Sequence, residues 1–288
     1  MDNFLQNQTW LRPFVPFFLV LIISTVTHQP AQAQSFSQTH VKYGSEPRQT
    51  MDIYTPIDGG QQSRPVIIYV HGGGWMHGDK SNVAEKPDFF TNKGYAFISV
   101  NYQLSPRVTY KEMAKDISRA IYWIYHHAHH YQINMAKINL MGHSAGGHLV
   151  ALIGTDSYYL ASAGLPLQVI NSIVNLDGPV DLTEFIPRNN AYMEVFGDNK
   201  ENWAHASPVT YVSNKNLPPI LLVGKDKKSF TAYAEKARLA GNAVDLFFNH
   251  ALTHREITNM LGSKNGPAEA VEMTNAVAGF LARNNASS

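Results

Sequence analysis

Ile138-Asn139-Leu140-Met141-Gly142-His143-Ser144-Ala145-Gly146-Gly147 is the stretch on which the fold turns. An apolar run of strand character leads into Gly-x-Ser-x-Gly, and a small-residue helical pattern, Ala145 to Leu152, follows at once. The order is strand, sharp turn, helix. A serine hydroxyl is a poor nucleophile unless a base removes its proton, and it must stand clear of the backbone to reach a carbonyl carbon. A strand-to-helix elbow achieves this by straining the serine, which requires small neighbours, and Gly142 and Gly146 meet that need. The helix beginning here turns free N–H groups toward the same point, so the amide of Ala145 is a candidate oxyanion donor.

Such a serine needs a second donor, a base and an acid. Upstream, Pro65-Val-Ile-Ile-Tyr-Val70 is a β-branched run of the kind buried on both faces of a sheet, and His71-Gly-Gly-Gly-Trp75 follows it directly. Consecutive glycines after a buried strand leave the backbone free to turn its N–H groups outward, making Gly73 and Gly74 candidate donors. Near the other end, His254 lies on the loop beyond the strand Ala243–Phe248, with enough chain to fold back toward Ser144; His250 reads as a strand-end residue. Asp226 follows the strand Pro218–Val223 and completes the order Ser, Asp, His, with Asp177, at the end of Ile170–Leu176, as its rival. Asp181 reads as a helix cap, and Asp245 lies inside a strand.

The rest of the chain alternates strand and helix. Gln49–Tyr54 reads as an edge strand, Tyr95–Tyr102 as another strand, Lys111–Tyr131 as an amphipathic helix, and Ser229–Ala240 and Pro267–Arg283 as helices. This pattern predicts an α/β fold, a mainly parallel sheet with helices on both faces, whose function gathers at the carboxyl ends of the strands. His126-His-Ala-His-His130, at a helix end, reads as capping or solvated residues, and no metal is expected.

Composition narrows the function. A formal net charge of +1 with no basic block gives no reason to expect a nucleic-acid partner. Phe14 to Val26 is an apolar run too short to span a bilayer comfortably, and Ala31-Gln-Ala33 follows it, so residues 1–33 read as a signal peptide and 34–288 as one catalytic domain. No stable membrane insertion is expected after cleavage. The absence of cysteine excludes disulfides, a thiolate nucleophile and a lipid-attachment cysteine, which fits export to a bacterial periplasm or secreted space.

Four motifs in order, Gln49-Thr-Met-Asp-Ile-Tyr-Thr-Pro56, His71-Gly-Gly-Gly-Trp75 with Gly78-Asp-Lys80, Gly142-His-Ser-Ala-Gly-Gly147 and Ala206-Ser-Pro-Val209, resemble the α/β-hydrolase superfamily. Within it the likeness is to the carboxylesterase, feruloyl-esterase-like and arylformamidase group. The resemblance implies Ser144 as nucleophile, His254 as base, Asp226 as acid and Gly73, Gly74 and Ala145 as oxyanion donors. It departs at one point: related enzymes place two residues between the strand-end glycine and the acid, whereas Gly224-Lys225-Asp226 leaves one.

The implied reaction is two-step acyl transfer on a small-molecule ester, without metal or organic cofactor. The segment from Asp181 to Tyr211 has room only for a short cap, with Tyr192, Met193, Phe196 and Trp203 as wall candidates, which favours short-chain or aromatic esters. An arylformamidase or amide hydrolase is the alternative, and an inactive binding protein on the same fold is the third reading.

Overall fold

The computed structural model describes residues 36–57, 63–225 and 228–286. The expected leader and Asp226 lie outside these described residues. The unit Gln34–Ser288 is built on an eight-stranded sheet in the order β1-β2-β4-β3-β5-β6-β7-β8. Its strands are β1 Phe36–Lys42, β2 Thr50–Pro56, β3 Arg64–Val70, β4 Ala96–Val100, β5 Ile133–His143, β6 Ile170–Leu176, β7 Ile220–Gly224 and β8 Val244–Phe248. β1, β2 and β4 pair antiparallel, and from β4 to β8 every pairing is parallel. The helices are α1 Lys86–Thr91, α2 Tyr110–His127, α3 Ala145–Thr155, α4 Tyr158–Ser162, α5 Leu182–Phe185, α6 Met193–Phe196, α7 Lys200–Ala206, α8 Lys228–Leu239, α9 His254–Asn259 and α10 Ala268–Ala286.

β3 shows why the sheet is covered on both sides. Val66, Ile68 and Val70 point into a core layer shared with α2, α3 and α8, while Ile67 and Tyr69 point into a second layer shared with α1 and α10. Burying each such branched side chain contributes about 1.5–3 kcal/mol, so a strand with no polar face is stable only between two helical layers.

Two expectations change. Gln49–Tyr54 is not an edge, because β1 pairs along its whole outer side. β1 is mostly exposed and carries only Phe36 and Val41 as large apolar residues, so it gives no alternation to read. β5 begins at Ile133, before the apolar run, and its register on β6 shifts between Ile138 and Asn139.

Candidate active site

Ser144 sits between β5 and α3 with φ 54° and ψ −120°, outside the regions an ordinary residue favours. Its N–H donates to Leu176 O at 2.9 Å on β6, and its carbonyl accepts from His148 N–H at 2.9 Å in α3. The elbow needs its glycines. A Cβ on Gly142 would lie 2.3 Å from Gly146 O, and one on Gly146 would lie 2.1 Å from Val70 O at the end of β3. Ala145 is the first residue of α3, so its N–H has no acceptor four residues back within the helix.

The loop after β3 is built for the same place. Gly73 and Gly74 have φ of 130° and 60°, and among the described residues their amides donate to no backbone carbonyl. A Cβ on Gly72 would meet the Ser144 Cβ at 3.0 Å, which puts this backbone directly against the serine. Side chains fix the loop. Arg48 donates to Gly78 O and Tyr102 O, each at 2.8 Å, and Tyr102 Oη donates to His71 O at 2.9 Å.

The buried Trp75 donates its indole N–H to His148 Nδ1 at 3.1 Å, and His148 Nε2–H donates to Ala206 O at 2.8 Å. Burial lowers the pKa of His148 to about 4, and that of His71 and of His143 to about 4 as well. Imidazoles that stay neutral in this way put no positive charge beside Ser144.

His254 is the first residue of α9, and its Nδ1 lies 2.5 Å from Asp177 Oδ2. Three local features aim that carboxylate. Asp177 follows β6 with φ 57°, its N–H donates to Val223 O at 2.7 Å, and Gly224 makes room for it, since a Cβ there would lie 2.6 Å from Asp177 Oδ1. The His254 carbonyl accepts from His143 Nε2–H at 2.8 Å, so the base is held from backbone and ring at once. At the far end of α9 the buried Lys86 donates to Thr258 O at 2.6 Å and lies over the Tyr69 ring at 5.0 Å. Burial lowers the Lys86 pKa to about 7.

Ser144, His254, Gly72, Gly73 and Gly74 line one cleft of about 890 Å³. The acid expected at position 226 lies outside the described residues, and the carboxylate found on His254 Nδ1 is the rival, Asp177. His250 stays on the loop after β8, its backbone N–H directed to the Glu269 carboxylate. Asp181 caps α5 through Thr183 N–H at 2.9 Å, and Asp245 pairs with Arg283 at 2.8 Å. The expected wall residues go elsewhere. Phe196 and Trp203 are buried in the core, and Phe185, Tyr192 and Phe196 pack edge-on against Trp75 rather than lining the cleft.

His126 and His127 donate back to Tyr122 O and Trp123 O. Among the described residues no group of three or more metal-ligating side chains is found. Lys86 and Arg255, which underlie and line the cleft, carry no motif that the sequence alone would have flagged, and His143, though inside the serine motif, is given no role by it.

A model of the BD-FAE family matches residues 51–241. The chain is 26% identical over 216 residues to the probable isoprenylcysteine alpha-carbonyl methylesterase ICMEL1 of Arabidopsis thaliana, covering 68% of this chain and 45% of that one. It is 26% identical over 217 residues to the kynurenine formamidase of Drosophila melanogaster, covering 72% and 68%. It is also 26% identical over 199 residues to the esterase LipC of Mycobacterium tuberculosis, covering 64% and 49%. The chain thus spans about half the length of ICMEL1 and LipC.

Among solved structures it shares its fold with esterase B from Lactobacillus rhamnosis, at TM-score 0.71 and 20% identity over 88% of this chain and 87% of that one. Esterase 2 of Thermogutta terrifontis is similar at TM-score 0.70 and 21% identity over 88% and 96%. The mainly parallel eight-stranded sheet and these matches lead to one conclusion: the protein has the α/β-hydrolase fold and belongs to the BD-FAE family.

Proposed function

We propose that the protein is a serine hydrolase that cleaves carboxylic esters through an acyl-enzyme on Ser144. The observation that carries this is the 2.5 Å contact of Asp177 with His254 Nδ1, in the cleft that also exposes Ser144 and the glycine loop. With its proton held on Nδ1 by Asp177, His254 keeps Nε2 as a base. Nε2 takes the Ser144 proton as Oγ bonds to the ester carbonyl carbon, and the oxyanion meets the amides of Gly73, Gly74 and Ala145. Breakdown expels the alcohol, whose oxygen takes the proton from His254. Water then attacks the acyl-enzyme by the same route, releasing the acid and restoring Ser144.

Initial rates on p-nitrophenyl acetate to decanoate, with a Ser144→Ala control, test this reading. Activity on short chains that falls by at least about a thousandfold in the variant supports it. Equal activity of the two proteins removes it. A formamidase reading is favoured by the similarity to kynurenine formamidase, and turnover of an N-formyl aromatic amine above that of the matching ester would replace the esterase reading. Export is proposed from Phe14–Val26 and Ala31-Gln-Ala33; a secreted protein whose first residue is Gln34, read by mass spectrometry, tests it.

A further inference from the structure

Charge is unevenly distributed around the cleft. No aspartate or glutamate is among the residues lining it, and Arg255 is their lysine-or-arginine cation. Arg255 is exposed, directly follows His254 in α9, and among the described residues forms no ion pair. Of the neighbouring carboxylates, the exposed Glu85 acts on Lys86 and three others are committed elsewhere. Asp177 is on His254 Nδ1, Glu256 accepts from Thr253 N–H at 2.7 Å, and Asp79 accepts from Asn101 Nδ2–H at 2.8 Å and from Ser81 N–H at 2.9 Å. The buried amine of Lys86, its pKa lowered to about 7, underlies the same wall: it lies over the ring of Tyr69 and donates to Thr258 O, and Tyr69 and Thr258 both line the cleft. The Arg255 guanidinium on the surface, a partly charged amine beneath it and no lining carboxylate make this wall complementary to an anion.

The reaction decides which half of the substrate meets it. The departing alcohol oxygen must reach His254 to take its proton, so the alcohol half passes along α9, where Arg255 is the next residue. Resting on the esterase reading, we propose that Arg255 binds a carboxylate carried by the alcohol portion, so that the preferred substrates are esters of hydroxy acids. The guanidinium fork offers two parallel N–H donors to such a group, which a neutral ester leaves unused.

The test pairs 3-acetoxybenzoate with 3-acetoxybenzamide, which differ in charge but little in shape. In each protein the ratio of kcat/KM, charged over neutral, is read, so any general disturbance next to His254 cancels. Arg255→Gln is expected to lower the ratio about tenfold, mainly through KM of the charged ester, and Arg255→Glu to lower it further. The preference of the parent is expected to weaken as salt rises. Turnover of both esters with a ratio within about twofold of the parent in both variants overturns this inference and leaves the esterase reading intact. If the parent turns over neither of these esters but does turn over p-nitrophenyl acetate, this inference falls and the esterase reading stands; turnover of none of the three removes both.

Discussion

His148 accepts from the Trp75 indole and donates to Ala206 O, so both ring nitrogens are used and the neutral form is the one that fits. Protonation would turn Nδ1 into a donor facing another donor, inside a site with no access to water. Its pKa accordingly falls from 6.5 to about 4, with burial as the cause. At 1.36 kcal/mol per unit, 2.5 units correspond to about 3 kcal/mol that the folded state loses on acidification.

The direction follows from the depressed value: above pH 6.5 the contribution is whole, and it is lost as pH falls from 6.5 toward 4, because the unfolded chain binds the proton first. Near pH 5.2 the slope is about one proton, or roughly 1.2 kcal/mol per pH unit. His148→Gln keeps an acceptor and a donor but cannot titrate. Urea unfolding followed by fluorescence at steps from pH 7.5 to 4.5 is expected to show the variant less stable at neutral pH, with a slope about one proton shallower. Parallel stability curves for the two proteins between pH 6.5 and 4.5 would refute the reasoning.

Asp177→Asn removes the acceptor that fixes the His254 tautomer and is expected to lower kcat by about 10⁴; a large loss in Asp226→Asn with little in Asp177→Asn would return the acid role to position 226. Gly146→Ala places a methyl 2.1 Å from Val70 O, so α3 must move away from β3. That overpacking is expected to cost about 1–3 kcal/mol of stability and at least tenfold in kcat/KM, and unchanged melting and kinetics would show that the elbow is not packed as described.

The central strands and the elbow were legible because they state one requirement twice: apolar continuity demands burial, and small residues at fixed spacing demand a tight turn. The place of Ser144 at the elbow and of Gly73 and Gly74 on the loop after β3 follows from that logic, while His254 was placed by its position beyond the strand Ala243–Phe248. The acid could not, because chain order is satisfied by either Asp177 or Asp226, and the choice depends on distance across the sheet. The positive φ of Asp177 and the space left by Gly224 exist only after β6 and β7 pair. β1 was invisible because an edge strand exposed to water need not alternate. Tyr192, Phe196 and Trp203 were read as pocket walls because apolarity marks a buried residue without saying what covers it; Tyr192 and Phe196 pack on Trp75, and Trp203 is buried with its indole donating to Gly197 O.

The hydrogen-bonded chain Trp75–His148–Ala206 bears on how this scaffold can be recombined. One imidazole anchors the glycine loop on one side and the backbone leading out of α7 on the other. A chimaera that imports a relative's 181–211 segment to alter selectivity therefore inherits a constraint: unless it presents a carbonyl where Ala206 does, the indole loses its partner and the loop its register. Grafting is expected to succeed in pairs, loop with segment, and to fail piecemeal.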